Sequence, residues 1–506
     1  MRKEILKEKK SSKKNNDLDI KILDIQTEEE PKVVRRKQKK KKSSNKEFAR
    51  VTYFFVALFL CMMGYIVYFN AVKSKEIINS PYNVRLDSMS DRVIRGKILD
   101  QDGQVLAETQ VAEDGSESRY YPFGSLYAHV VGYDSMGKSG LESTENFNLL
   151  TSHAFFLEQL VNTVKEEKNV GDNIITTLNT ELQKAAYDAL GGYKGADVVM
   201  EASTGKILAM VSKPTFNPNS IYKDWDYLTS SENSELLNRA TQGAYAPGSI
   251  FKIVTALEYI RENKAYYNYA YTCIGEITHG DTTIHCAKNH AHGEENLKSS
   301  FANSCNSAFC DIGLSLDISD YRDTAEELLF NSKLPSVLPY SQSKFQLERK
   351  SDDAEIMMTA MGQGKTQVSP YHMALVTAAI ANGGVAMEPY LVDEIVNYTG
   401  ARVSKNYPAN YKRLMTTNEA TQLKEYMTAV VESGTATALS GESYTVAGKT
   451  GTAEYSSDKD KSHSWFTGFS NVDNPELVVT VVVESADNSG MSAVSVAKRI
   501  LNAYYY

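Results

Sequence analysis

The chain has 506 residues, 42% hydrophobic and 23% charged, with 12 Pro and 30 Gly. That size suits two or three domains and excludes wholesale disorder or a collagen-like repeat. The net charge of −8 is unevenly spread: residues 1–50 hold 18 Lys+Arg against 9 Asp+Glu, so the other residues carry −17. A basic head on an acidic body argues against a nucleic-acid binder, whose folded domain would itself be basic.

In chain order, residues 1–50 (KKSSKKNN, RRKQKKKKSSNK) have too few apolar side chains to bury and are expected to be a disordered basic tail. Residues 51–72 contain no charge and begin VTYFFVALFLCMMGYIVYF, long enough to cross a hydrocarbon core of about 30 Å. Ten Lys/Arg against one acid precede this run within residues 31–50, so the positive-inside rule predicts a cytoplasmic N-terminus and an extracellular remainder. The run is too long for a signal-peptide core and no A-x-A-like site follows it, so an uncleaved single-pass anchor is expected.

Residues 73–170 read as a small, turn-rich, membrane-proximal module, with two short strands around the Asp102-Gly103 turn in RGKILDQDGQVLA. From 171 to 506 the pattern is α+β: an antiparallel sheet flanked by helices. Strands are expected at Asn173–Leu178, Ala196–Met200, Lys206–Val211, Ser443–Ala447, Trp465–Phe469 and Leu477–Glu484. Helices are expected at Thr180–Leu190, Ile253–Ile260, Tyr371–Ala381 and Ala493–Tyr504.

Three clusters carry chemistry: Ser249-Ile-Phe-Lys252, Ser304-Cys-Asn306 and Lys449-Thr-Gly-Thr452. Ser-x-x-Lys alone is weak, since it occurs nine times here. The Ser249 copy follows Ala246-Pro-Gly248 and opens an apolar helical run, placing Ser249 at a helix start with Lys252 one turn on. A serine hydroxyl needs a base to remove its proton, and lysine serves only if burial or a nearby cation lowers its pKa. Lys449 is expected to supply that second cation and attract a carboxylate. Asn306 and the hydroxyls of Ser304, Thr450 and Thr452 would complete a polar cleft. Gly451 would let a substrate backbone lie against a strand edge.

The ordered triple, with the flanks APGSIFKIVTALE, MGQGKTQVSPYHMALVTAAIANGG, GKTGTAE and HSWFTGF, resembles the class B penicillin-binding transpeptidases over roughly residues 85–506. It resembles a short form without a large pedestal, and the module has no room for a second, glycan-polymerising domain. The resemblance implies D,D-transpeptidation of peptidoglycan stem peptides ending in D-Ala-D-Ala, and sensitivity to β-lactam antibiotics. Ser249 would be the nucleophile and Lys252 the base. Ser304 would relay a proton, and Asn306 would hold the acyl side-chain amide. Lys449, Thr450 and Thr452 would bind the terminal carboxylate, and the backbone N–H groups of Ser249 and Thr452 would form the oxyanion hole. It further implies a partner, a membrane glycosyltransferase of the shape, elongation, division and sporulation family. The alternatives are a D,D-carboxypeptidase of the same chemistry, or a scaffold that activates such a polymerase. Which process the chain serves, and its acceptor amine, stay open.

Acyl-serine chemistry calls for no cofactor and no metal. Cys305 and Cys310 read as small buried packing residues. Cys273 and Cys286 lie in a loop with His279, His285, His290 and His292, where a disulfide, a zinc site and two free thiols all remain open, the spacings matching no standard zinc motif. Glu142 and Arg239 read as structural anchors.

Overall fold

The computed structural model describes residues 46–73, 89–454, 462–486 and 491–506; the expected disordered tail falls almost wholly outside them. Two units separate, Met1–Ala71 and Val72–Tyr506. In the first, a helix spans Lys46–Tyr68 and its apolar stretch Phe48–Tyr68 covers 21 residues. At 1.5 Å per residue that is about 30 Å, enough to cross a bilayer. Phe54, Leu58, Leu60 and Tyr65 stand exposed along it, as expected of a single-pass membrane anchor.

The second unit is built on a five-stranded antiparallel sheet in the order Val446–Glu454, Ser462–Ser470, Leu477–Val483, Gly195–Glu201, Ile207–Lys213. The last two strands form the hairpin read around Ser203-Thr-Gly205. Helix Pro370–Ala381 packs on this sheet, as does Ala493–Tyr505, which also packs against Thr180–Leu190. Every residue of Leu477–Val483 is buried, which is why this strand reads as an unbroken β-branched run rather than an alternation. All twelve residues of Pro370–Ala381 are buried too, behind a Ser369 N-cap and a proline in the first turn. Strand Val446–Glu454 begins three residues later than expected and runs on through the Lys-Thr-Gly cluster. It lies at the sheet edge and borders a second layer of helices: Lys252–Glu262, Leu297–Ala302, Asn306–Ser315 and Thr417–Glu432.

Of the membrane-proximal strands, Val93–Ile94 and Asn169–Val170 pair with each other as a two-stranded parallel sheet. The others enter a six-stranded sheet in the order Arg402–Lys405, Val392–Val396, Asn173–Thr176, Ile98–Leu99, Val105–Val111, Glu117–Tyr120. Two of its strands thus come from deep in the catalytic half, so the sheet crosses the boundary near residue 170. Glu142 anchors the module, fully buried between Arg95 (2.6 Å) and Arg119 (2.8 Å).

Candidate active site

The turn Gly248–Phe251 leads into helix Lys252–Glu262 and presents Ser249 half-buried at its start. Gly248 has φ +56°, and a Cβ there would meet the Thr452 carbonyl oxygen at 2.4 Å. Only glycine satisfies both the left-handed backbone and this close approach to the edge strand. Gly451 answers from the strand side. It is buried, and a Cβ there would press on Ile250 and the Pro247 carbonyl at 3.1 Å. Its packing role is therefore to seat the strand against the serine turn. Trp465 Nε1 donates to the Ala246 carbonyl (3.2 Å), fixing the same turn from the next strand.

Ser304 lies between helices Leu297–Ala302 and Asn306–Ser315 with φ +56°, a conformation that a non-glycine residue holds only at a cost. It becomes the meeting point of the site. Lys252 Nζ donates to the Ser304 carbonyl (2.8 Å) and to Asn306 Oδ1 (2.8 Å), and lies 3.3 Å from Ser304 Oγ. Lys449 Nζ lies 3.0 Å from the same Oγ and donates to the Thr450 carbonyl (3.1 Å). Asn306 is held from behind, its Nδ2 donating to the His285 carbonyl (3.0 Å).

Both lysines are fully buried. Burial lowers the Lys252 pKa to about 8. Burial and then the neighbouring Lys252 charge hold Lys449 well below the ordinary lysine value. Two ammonium groups sharing one hydroxyl in a dry site are costly, so the pair readily gives up a proton. A neutral amine has two N–H groups, and Lys252 already faces two carbonyl oxygens. Its lone pair is then free to accept from a serine hydroxyl.

The structure thus brings Lys252, Ser304, Asn306 and Lys449 into one hydrogen-bonded cluster beside Ser249, with Thr450, Gly451 and Thr452 on the adjoining strand. Four residues outside the three motifs also contribute. Thr435 Oγ1 hydrogen-bonds Thr450 Oγ1 at 2.5 Å, Gln363 Nε2 reaches the Thr452 carbonyl (3.4 Å), and the Phe301 and Phe309 rings lie under the Lys449 and Lys252 ammoniums at 5.6 and 5.3 Å. Gln363 sits within a flank that carries the resemblance; Thr435 has no local signal. Among the described residues, Glu142 and Arg239 lie outside this cluster, Arg239 pairing with Glu484 at 2.7 Å.

A serine at a helix start, paired lysines and an open strand edge define an active-site-serine acyl-transfer enzyme. Residues 195–504 match the penicillin binding protein transpeptidase domain, and residues 95–174 match the penicillin binding protein A dimerisation domain. The peptidoglycan D,D-transpeptidase PbpA of Mycolicibacterium smegmatis is 31% identical over 431 residues, covering 79% of this chain and 87% of that protein. The D,D-transpeptidase domain of a peptidoglycan glycosyltransferase from Eggerthella lenta superposes with a TM-score of 0.74 at 32% identity, covering 82% of this chain and 98% of that one. Penicillin-binding protein A from M. tuberculosis, solved as an imipenem acyl-enzyme, gives 0.74 at 28% identity, covering 83% and 100%. The chain belongs to the penicillin-binding protein transpeptidase family.

Proposed function

We propose that this protein is a β-lactam-sensitive peptidoglycan D,D-transpeptidase that cross-links stem peptides through an acyl-enzyme on Ser249. Ser249 Oγ attacks the carbonyl of the penultimate D-Ala as Lys252 takes its proton. The backbone N–H groups of Ser249 and Thr452 stabilise the oxyanion. The C–N bond breaks, and terminal D-Ala leaves with a proton relayed by Ser304 between the two lysines. An amine of a neighbouring strand then attacks the acyl group and frees Ser249. Asn306 orients the acyl chain, while Lys449, Thr450 and Thr452 hold the substrate's terminal carboxylate. The observation that carries this reading is the convergence of Lys252, Lys449 and Asn306 around Ser304, next to a nucleophile seated by Gly248 and Gly451. The test is a fluorescent penicillin on the full chain with peptide mapping. The adduct falls on Ser249, and Ser249→Ala abolishes it while the thermal melt is unchanged; an adduct on Ser304 or Ser203 overturns the assignment.

The charge bias around residues 51–72 supports a cytoplasmic N-terminus with the catalytic domain outside. A polytopic membrane glycosyltransferase is the partner that would supply glycan strands. Helix Phe156–Lys165 supports a contact surface within the module, since Phe156, Leu157, Leu160, Val161 and Val164 are all exposed on it.

A further inference from the structure

The two N–H groups assigned to the oxyanion hole lie on elements far apart in the chain, Ser249 on the turn Gly248–Phe251 and Thr452 on the edge strand Val446–Glu454. Both elements touch one further segment, which none of the three motifs contains. Helix Asp353–Ala360 ends in a Schellman turn: Gly362, at φ +90°, donates its N–H to the Thr359 carbonyl (2.9 Å), and the Gln363 N–H donates to the Met358 carbonyl (2.8 Å). That double closure fixes Gly362 and Gln363 relative to the helix. The helix end is held in turn by Thr255, whose Oγ1 donates to the Ala360 carbonyl (2.8 Å) from the helix that carries Lys252.

From this turn two contacts run to the oxyanion elements. The Gly362 carbonyl accepts the Gly248 N–H (2.8 Å), one residue before the Ser249 N–H. A Cβ on Gly362 would fall 1.8 Å from the Gly248 oxygen, so only glycine allows this approach. Further along, Val368 and Tyr245 exchange both backbone bonds (2.8 and 3.0 Å), which extends the grip upstream of the serine. The second contact is a side chain: Gln363 Nε2 donates to the Thr452 carbonyl (3.4 Å). In an antiparallel pair, alternate residues turn both backbone groups away from the partner strand. The Thr450 and Thr452 carbonyls, which accept from Lys449 Nζ and Gln363 Nε2, mark the outward set on this strand. The Thr452 N–H thus faces outward beside the carbonyl that Gln363 holds. Among the described residues no further strand lies beyond this edge to hold it instead.

We propose that Gln363 is a positioning residue for acyl transfer: by tethering the Thr452 carbonyl it sets the spacing between the Thr452 and Ser249 N–H groups that receive the oxyanion. This rests on the acyl-serine reading above and adds the part that fixes the width of the hole. Oxyanion donors work because they are aimed before charge develops, about 2.7–3.1 Å from where the oxyanion will lie. A donor on an untethered edge strand drifts from that point and loses the advantage even when substrate binds normally. A carbonyl has two lone pairs, so the Thr452 oxygen can keep Gln363 and still accept a peptide N–H laid along the strand edge. Gln363 acts through the strand rather than on the reacting atoms.

Stopped-flow acylation of the full chain in detergent by benzylpenicillin separates the encounter constant from the acylation rate constant. Gln363→Met, which keeps the length but has no donor, and Gln363→Ala should each lower the rate constant about tenfold and leave the encounter constant unchanged. A boronic acid that forms a tetrahedral adduct on Ser249 should lose affinity by the same factor, because it makes the same oxyanion contacts. Lys365→Ala, two residues on and paired with Glu355 at the surface (2.7 Å), should match wild type in all three readings. Wild-type acylation by both Gln363 variants overturns the proposal. So does a change confined to the encounter constant, which would make Gln363 a binding group. A fall in both constants with a lowered thermal melt also overturns it, since packing would then set the loss. The penicillin label on wild-type Ser249 stands apart from these outcomes: its absence would overturn the acyl-serine reading itself.

Discussion

At the scale of single residues, the decisive group is Lys252, an amine with two carbonyl acceptors and no carboxylate against it among the described residues. Its base form must dominate for Ser249 to be activated, so acylation should fall as pH drops below about 8, where Lys252 takes up a proton. Stopped-flow β-lactam acylation against pH reads this directly, and a flat profile contradicts a neutral lysine. Lys252→Arg keeps the positive charge but cannot surrender it, so acylation should fall at least about 100-fold with folding intact. The three motifs were legible because each places its residues within one turn or one strand. Thr435 and Gln363 were not, since they reach Thr450 and Thr452 from loops outside the motifs, and no local pattern marks that contact.

At the scale of elements, boundaries followed local chemistry closely where periodicity was strong. Helix Thr180–Leu190 has the expected bounds, with Asn179 capping Leu182. The long helix Thr417–Glu432 went unread despite its Thr416/Glu419 capping box and the helical spacing of its buried Ala420, Leu423, Met427 and Val430. The hairpins of residues 270–296 also went unread: their short strands are mostly exposed and lack the alternation of a half-buried strand. Glu142 shows what one side chain does for such elements. It joins helix Gly140–Thr144 to Arg119 on strand Glu117–Tyr120 and to Arg95. Burial alone would raise its carboxyl pKa, but Arg119 and Arg95 outweigh this and hold it below the usual value. A carboxyl lowered in the folded state adds stability above its unfolded pKa of about 4.3, and that stability is lost as pH falls through the folded value. Glu142→Gln strands two buried guanidiniums and should cost about 3 kcal/mol or more near neutral pH. Urea unfolding should show this deficit shrinking on acidification; an equal loss at every pH would mean that packing, not charge, sets the cost.

At the scale of the whole molecule, the membrane partner proposed above is open to a direct test. Replacing residues 51–72 with an unrelated membrane helix should preserve penicillin labelling and weaken co-purification with the proposed glycosyltransferase. Adding Leu160→Asp and Val164→Asp should weaken it further. Full recovery of the partner from the doubly altered protein would show that recognition rests on neither surface. The apolar anchor helix was legible because charge and hydropathy both change sharply near residue 50. The six-stranded sheet was not, since it depends on pairing Asn173–Thr176 with Val392–Val396 across more than 200 residues. That pairing sets an order of events during biosynthesis. As the chain emerges N-terminus first, Ile98–Leu99 and Asn173–Thr176 can associate early, but the open side of Asn173–Thr176 waits until Val396 has been delivered. Until then a nascent edge stands unprotected. A chain truncated before residue 392 would release that edge permanently, so the truncated product should be an aggregation and proteolysis substrate rather than a smaller working part.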